Sequence, residues 1–262
     1  MGFKTQAFDV SRRAVPQAKR IAVVIPAYRE ERLIARTLRG VPRFVDAIYV
    51  VDDGSPDATA RAAQAVADPR LSLLRHEQNR GVGAAIVTGY RAALADQADA
   101  VVVMAGDAQM DPEDLPALLA PVVSGAADYV KGNRFRSRDR RQMPLLRRAA
   151  GRVLSWVTRL ASGLKVDDCQ CGYTVMSRHA LCTLPLDEVW EGFGYPNDLL
   201  MLAAQHGLRV SEVTVRPVYA DERSGVRPWH ALLIIGLIAR RWLRAPRALL
   251  TDAGHERAGR SV

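Results

Sequence analysis

Ile21-Ala22-Val23-Val24-Ile25-Pro26-Ala27-Tyr28-Arg29-Glu30 is the stretch on which the fold turns: five apolar residues, a proline that stops the run, and then polar side chains. A short run that is apolar throughout is the mark of a strand buried on both faces, not of an alternating surface strand. From Glu30 to Arg39 the period changes, with Leu33, Ile34, Thr37 and Leu38 on one helical face. The same alternation repeats downstream. Ala47–Val51 is a second buried strand, Ser55-Pro56-Asp57 supplies helix-start chemistry for an alanine-rich helix over 58–67, and Leu71–Leu74 is a third strand. Gly83–Ala95 is a third helix and Ala100–Met104 a fourth strand. Buried strands alternating with helices predict an α/β fold, a mostly parallel central sheet covered by helices on both faces. Ligands of such sheets bind beyond the carboxyl ends of the strands, so Pro26–Glu30, Asp52–Ser55 and Gly106–Asp111 are expected to share one crevice.

The second half is less regular. Tyr129–Arg134 reads as a strand, and eight arginines lie between Arg134 and Arg152 with Asp139 as the only acid. From Leu145 a helical apolar stripe runs through Leu146, Ala149, Ala150, Val153, Val157, Leu160 and Leu164, with Trp156 at its edge. Two readings stay open for it, a core-packed helix and a helix lying in a lipid interface. Trp229–Ala239 is eleven apolar or neutral residues closed by Arg240-Arg241, short of the roughly 20 that a span needs, and reads as an interfacial anchor. The last dozen residues are polar and read as a disordered tail.

The chain has 262 residues, 48% hydrophobic, and a net charge of +9. Residues 1–130 carry 15 Lys/Arg against 16 Asp/Glu, and residues 131–262 carry 22 against 12, so the second half holds all the excess. That asymmetry points to an anionic partner. Nucleic acid is disfavoured because only Phe135 interleaves with the basic run. Cys169, Cys171 and Cys182 fit neither a disulfide framework nor a zinc site, and residues 1–20 lack the apolar core of a secretory signal. Together these predict a cytoplasmic protein, peripheral on the inner face of a membrane.

Two clusters carry the chemistry. Asp52-Asp53-Gly54-Ser55 ends a buried strand with adjacent carboxylates; one is expected to cap the turn and the other to meet a donor such as a ribose hydroxyl. Gly106-Asp107-Ala108-Gln109-Met110-Asp111-Pro112 follows the fourth strand directly. A carboxylate at a strand end with an amide oxygen two residues on presents hard ligands suited to Mg²⁺ or Mn²⁺. Asp111, before Pro112-Glu113, reads as a helix cap. The Gly81-x-Gly83 turn lacks a third glycine at Ile86, which argues against a dinucleotide fold; Gly83 is expected to let the chain approach the donor or the adjoining strand.

These pieces, with Asn79–Ala85, Gly132-Asn133-Arg134, Asp168–Tyr173 and Glu212–Val215, resemble in order and spacing the family 2 glycosyltransferases, in particular the branch similar to dolichyl-phosphate mannose synthase and other polyprenyl-phosphate sugar transferases. The resemblance covers residues 20 to about 230. It implies a GT-A-type fold in one domain over 1–230, with residues 1–19 an N-terminal extension and 231–262 an amphipathic basic helix and tail. It implies an inverting, metal-dependent transfer from a nucleotide-diphospho-sugar. Pro26, Tyr28, Glu30, Val51, Asp53, Gly106, Asp107 and Ala108 would bind the donor, and Asp107, with Gln109 beside it, the metal. Arg134 would bind an acceptor lipid phosphate, joined by Arg147, Arg148 or Arg152; Arg223 lies in what resembles a closing loop. Asp198 would be the base where the acceptor needs one, with helix cap or charge partner as its other reading. Ala105 departs from the pattern, standing where the family commonly has a further acid, which weakens the cation site. A polyprenyl phosphate at an anionic membrane surface is the leading acceptor; a saccharide or small-molecule hydroxyl, and a non-catalytic nucleotide-sugar-binding scaffold, are the alternatives.

Overall fold

The computed structural model describes residues 19–218 and 229–244. Among them seven strands form one sheet: β1 (Ile21–Ala27), β2 (Ala47–Asp52), β3 (Leu71–Arg75), β4 (Ala100–Val103), β5 (Tyr129–Asn133), β6 (Thr174–Ser177) and β7 (Val210–Thr214), in the order β3-β2-β1-β4-β6-β5-β7. Only β6 runs against its neighbours; the other pairings are parallel, as the apolar runs predict. The helices are α1 (Ile34–Gly40), α2 (Thr59–Gln64), α3 (Val82–Ala95), α4 (Leu115–Val123), α5 (Leu145–Ser162), α6 (Arg178–Thr183), α7 (Tyr195–Gln205) and α8 (Trp229–Arg244).

Successive residues of a strand point to opposite faces, and β1 is buried on both. Val24 joins a core with Ile86 and Tyr90 of α3 and Leu199 of α7, whereas Val23 and Ile25 join a second core with Ile34 and Leu38 of α1 and Leu118 and Leu119 of α4. Gly89 explains itself here: a Cβ would lie 2.2 Å from a Val24 methyl, so only glycine lets α3 lie this close to the sheet. β1 continues through Pro26 to Ala27. The Pro26 carbonyl accepts from Gly106 N, so the missing N–H faces the same side, where β4 has already ended at Val103 and no ladder bond is lost.

The chain builds outward from β1 to β2 and β3, then returns to place β4 on β1's other side. The strand order therefore reverses between β1 and β4, and the crevice at such a switch point is where open α/β sheets bind ligands.

α5, α7 and α8 make a third, smaller core around Leu154, Met201, Ile234 and Ile238. The buried face of α5 holds Leu154, Ser155 and Thr158. Leu146, Val153 and Leu160 of the sequence stripe face outward with Trp156, Leu146 at 80% exposure. α8 likewise turns Leu232, Trp242 and Leu243 outward.

Candidate active site

Two loops meet across the switch point. After β1, Tyr28 is 40% exposed at the crevice with the Arg29 guanidinium 5.3 Å from its ring centroid. After β4, the Asp107 carboxylate accepts from Gln109 N at 3.1 Å, closing a turn on itself. Arg29 and Ala108 both hold left-handed backbone, φ 61° and 58°, at about 1 kcal/mol or more each. Strain in non-glycine residues on both sides of one crevice marks a place where geometry takes precedence over stability. Gly106 bolts the loops together: its N–H donates to Pro26 O at 3.3 Å, and its carbonyl accepts from Thr37 Oγ1 at 3.0 Å.

Glu30 faces Asp107 across this seam. Its backbone N–H donates to Thr59 Oγ1 at 2.8 Å, and that hydroxyl donates to Asp57 Oδ1 at 2.6 Å. Burial, then the charges of Asp107 and Asp57, push the Glu30 carboxyl up to about 7. Two carboxylates forced together are relieved by a cation. Among the described residues no group of three or more His, Cys, Asp or Glu could hold a metal by itself. Ala105 brings no carboxylate to the loop, and its backbone N–H goes to Met110 Sδ at 3.2 Å. The donor set of Asp107, Gln109 and Glu30 is hard and incomplete, which fits Mg²⁺ or Mn²⁺ finishing its shell with phosphate and water.

Both neighbouring acids have partners inside the protein. Asp52 Oδ1 accepts from Ser55 N at 3.0 Å and its Oδ2 lies 3.2 Å from Arg75 Nε. Asp53 is buried and binds His76 Nδ1 at 2.7 Å, Arg80 N at 2.9 Å and Gly81 N at 2.8 Å. Its carboxylate thus orders the turn before α3. Gly83 serves that turn too, and its close approach is to the 190–191 backbone: its N–H donates to Glu191 O at 2.7 Å, and a Cβ would sit 2.1 Å from Trp190 O. Pro26 and Val51 are buried in their strands.

On the far side of Gln109, Arg134 leaves β5 and forms a two-pronged pair with Asp168, Nε to Oδ2 at 2.8 Å and Nη2 to Oδ1 at 2.9 Å. Asp168 is fully buried, and its N–H donates at 2.8 Å to Glu212, which also accepts from Asn133 and Asp167 N. Arg134, Gln109, Gly172, Tyr173 and Arg216 line a cavity of about 40 Å³, which puts the arginine and the cation loop on one space. Arg148 is not among that lining; its Nη1 reaches Arg140 O at 3.4 Å. Arg223 lies outside the described residues.

Asp198 has the charge partner that was its other reading. Its carboxylate is 0% exposed, pairs with Arg241 of α8 at 2.6 Å (Nε) and 3.0 Å (Nη2), and accepts from Trp190 N at 2.8 Å. It joins α7 to α8 with both oxygens bonded inside the protein. Sequence reasoning also missed Asp168 and Glu212 as organisers of Arg134, and Arg216, which clamps Asp111, Glu113 and Asp114 beside the cation loop. Asp168 and Glu212 stand inside quoted motifs, but partners so far along the chain leave no local signal. Asp111 caps the next turn as expected, accepting from Glu113 N at 2.9 Å.

A mostly parallel sheet with carboxylates and strained loops at its switch point is the arrangement of a GT-A-type sugar-nucleotide transferase. The fold is shared with glucosyl-3-phosphoglycerate synthase from Mycobacterium tuberculosis, crystallised with Mn²⁺, uridine diphosphate and phosphoglyceric acid, at a TM-score of 0.64 and 22% identity over 86% of this chain and 79% of that one. Residues 22–182 match the model of glycosyl transferase family 2, and the chain belongs to that family. It is 29% identical over 219 residues to a UDP-N-acetylglucosamine–dolichyl-phosphate N-acetylglucosaminyltransferase of Methanococcus voltae, covering 78% of this chain and 87% of that one. It is 32% identical to an undecaprenyl-phosphate mannosyltransferase of Micrococcus luteus, covering 75% and 82%.

Proposed function

We propose that this protein moves a sugar from a nucleotide-diphospho-sugar to a polyprenyl phosphate at an anionic membrane surface, with inversion at the anomeric carbon. The observation that carries the choice of acceptor is the burial of Asp198 against Arg241. A hydroxyl acceptor must lose a proton, and the acid expected to take it is locked away; a lipid phosphate is already anionic and attacks without a base. The names of the two relatives above support the same acceptor class.

In this reading Tyr28 packs on the nucleoside and Gly106 and Ala108 shape the loop under the diphosphate. Asp107, with Gln109 and Glu30, would hold Mg²⁺ or Mn²⁺, which when bound neutralises charge on the departing diphosphate. Arg134, held rigid by Asp168, orients the acceptor phosphate from the cavity it shares with Gln109. One acceptor oxygen bonds to the anomeric carbon from the face opposite the leaving group, the bond to the donor's β-phosphate oxygen breaks, and the nucleoside diphosphate departs.

Among the described residues no helix is long and apolar enough to cross a membrane. The outward apolar residues of α5 and α8, with Arg240 and Arg244 beside them, suit a helix pair lying in the headgroup layer. The test is incubation with UDP-, GDP- and dTDP-sugars, Mn²⁺ and a polyprenyl phosphate, reading lipid-linked sugar and its anomeric configuration. Formation of an inverted lipid-phospho-sugar is expected. Transfer only to a saccharide or to phosphoglycerate overturns the acceptor, and retention of configuration overturns the mechanism.

A further inference from the structure

Asp167 and Asp168 are neighbours that turn opposite ways. Asp168 goes inward to Arg134, and Asp167 goes outward to Arg136 and Arg159. On that outer side, a cavity of about 370 Å³ opens between the residues after β5 and the flank of α5, lined by Phe135, Arg136, Arg152, Trp156, Arg159 and Asp167 among others. It shares no lining residue with the smaller cavity beside Gln109.

Its lining is unbalanced in charge, three guanidinium groups to one carboxylate. Arg136 Nη2 donates to Asp167 Oδ2 at 2.6 Å and Arg159 Nη1 donates to Oδ1 at 2.8 Å, one hydrogen bond each from groups that carry five N–H donors. Arg136 also lies 3.5 Å from Glu212 Oε2. Arg152 stands 5.8 Å from the Phe135 ring centroid and makes no ion pair with a carboxylate among the described residues. Arg136 and Arg159 are each about half exposed, at 53% and 48% of their side chains, so their remaining donors reach the opening. Trp156 is 62% exposed, on the same helix as outward Val153 and Leu160. A cationic pocket lined by an exposed tryptophan, on a helix that also turns Val153 and Leu160 outward, matches the layer where phosphate headgroups meet acyl chains.

We infer that this cavity is a second anion site, one that seats the phosphodiester headgroup of an anionic phospholipid and fixes α5 in the membrane, apart from the crevice where sugar transfer occurs. The inference rests on the reading of α5 and α8 as membrane-facing. It commits to a lipid, not free phosphate, because the outward Trp156, Val153 and Leu160 of the same helix have no use for a soluble ion.

The experiment is vesicle flotation of the full chain against phosphatidylcholine alone, phosphatidylcholine with phosphatidylglycerol, and the mixture with excess soluble glycerol phosphate. Two variants of equal charge loss are compared, Arg159→Gln in the pocket and Arg240→Gln on the exposed face of α8. Asp167 keeps Arg136 in the first, so its fold should hold, checked by an unchanged melting temperature. The wild type should prefer the anionic vesicles by at least about tenfold. Arg240→Gln should lose at most about fivefold, the share of one arginine in diffuse attraction, and Arg159→Gln roughly tenfold or more. Equal losses in the two variants, or displacement by glycerol phosphate, overturn the inference. Binding to neutral vesicles with no anionic preference sinks the pocket and spares the membrane reading; binding to no vesicle sinks both.

Discussion

Replacing Arg241 by methionine should destabilise the protein far more than a surface arginine would. In the native fold the guanidinium meets both oxygens of Asp198, a carboxylate of Glu188 at 2.8 Å, and the Glu188 carbonyl. Its removal leaves Asp198 charged and buried, with Trp190 N as the one remaining partner of its side chain among the described residues. Stranding one partner of a buried pair costs about 3–5 kcal/mol. In a domain of this size each kcal/mol moves the melting temperature by about 2–4 °C, so a drop on the order of 10 °C is expected. The double variant Asp198→Asn/Arg241→Met removes both charges and should recover a large part of that loss. Thermal melts by circular dichroism supply the three stabilities, and the cycle isolates the pair. Asp198→Asn alone separates structure from catalysis. If Asp198 only holds α8, turnover per folded molecule stays within about twofold below the melting transition, whereas a general base contributes about 10²–10⁴-fold. Loss of turnover on that scale with an unmoved melting temperature would refute the assignment.

Two other outcomes follow from the crevice. Glu30 has a folded pKa of about 7 against an ordinary 4.5, so the native state holds its proton more tightly than the unfolded chain. Its contribution to stability is therefore fully present below pH 4.5 and is lost as pH rises through 7; stabilisation by Mn²⁺, which relieves the exposed repulsion, should grow over the same window. Glu30→Gln should flatten both profiles, and an unchanged pH profile in that variant would remove Glu30 from the cation site. Gly83→Ala drives a Cβ into the Trp190 carbonyl and should cost about 1–3 kcal/mol, read as a lower urea midpoint, with donor KM raised because the Asp53 turn shifts; an unaffected KM would show that the turn does not shape the donor site.

Much of the frame was legible because buried parallel strands have no polar face to confuse the period: β1, β2 and β4 stand as all-apolar runs, and the order of their loops places the crevice. β6 was not, since Thr174–Ser177 is four residues without a distinctive pattern and runs against the sheet. Acids were visible as residue types but not as partners. The partners of Asp53 and Asp198, His76 and Arg241, stand 23 and 43 residues away and leave no trace in the local sequence. The helix stripe on α5 was seen, but which face packs depends on α7 and α8, which lie far along the chain.

The central claim is that Asp107 holds a divalent cation shared with the donor's diphosphate. Calorimetric titration of Mn²⁺ into protein with and without UDP tests it most directly. Tight binding that needs the nucleotide and is abolished in Asp107→Ala, with the fold intact, is the predicted result. Equal Mn²⁺ affinity in the Asp107→Ala protein, or nucleotide binding indifferent to the metal, would contradict it.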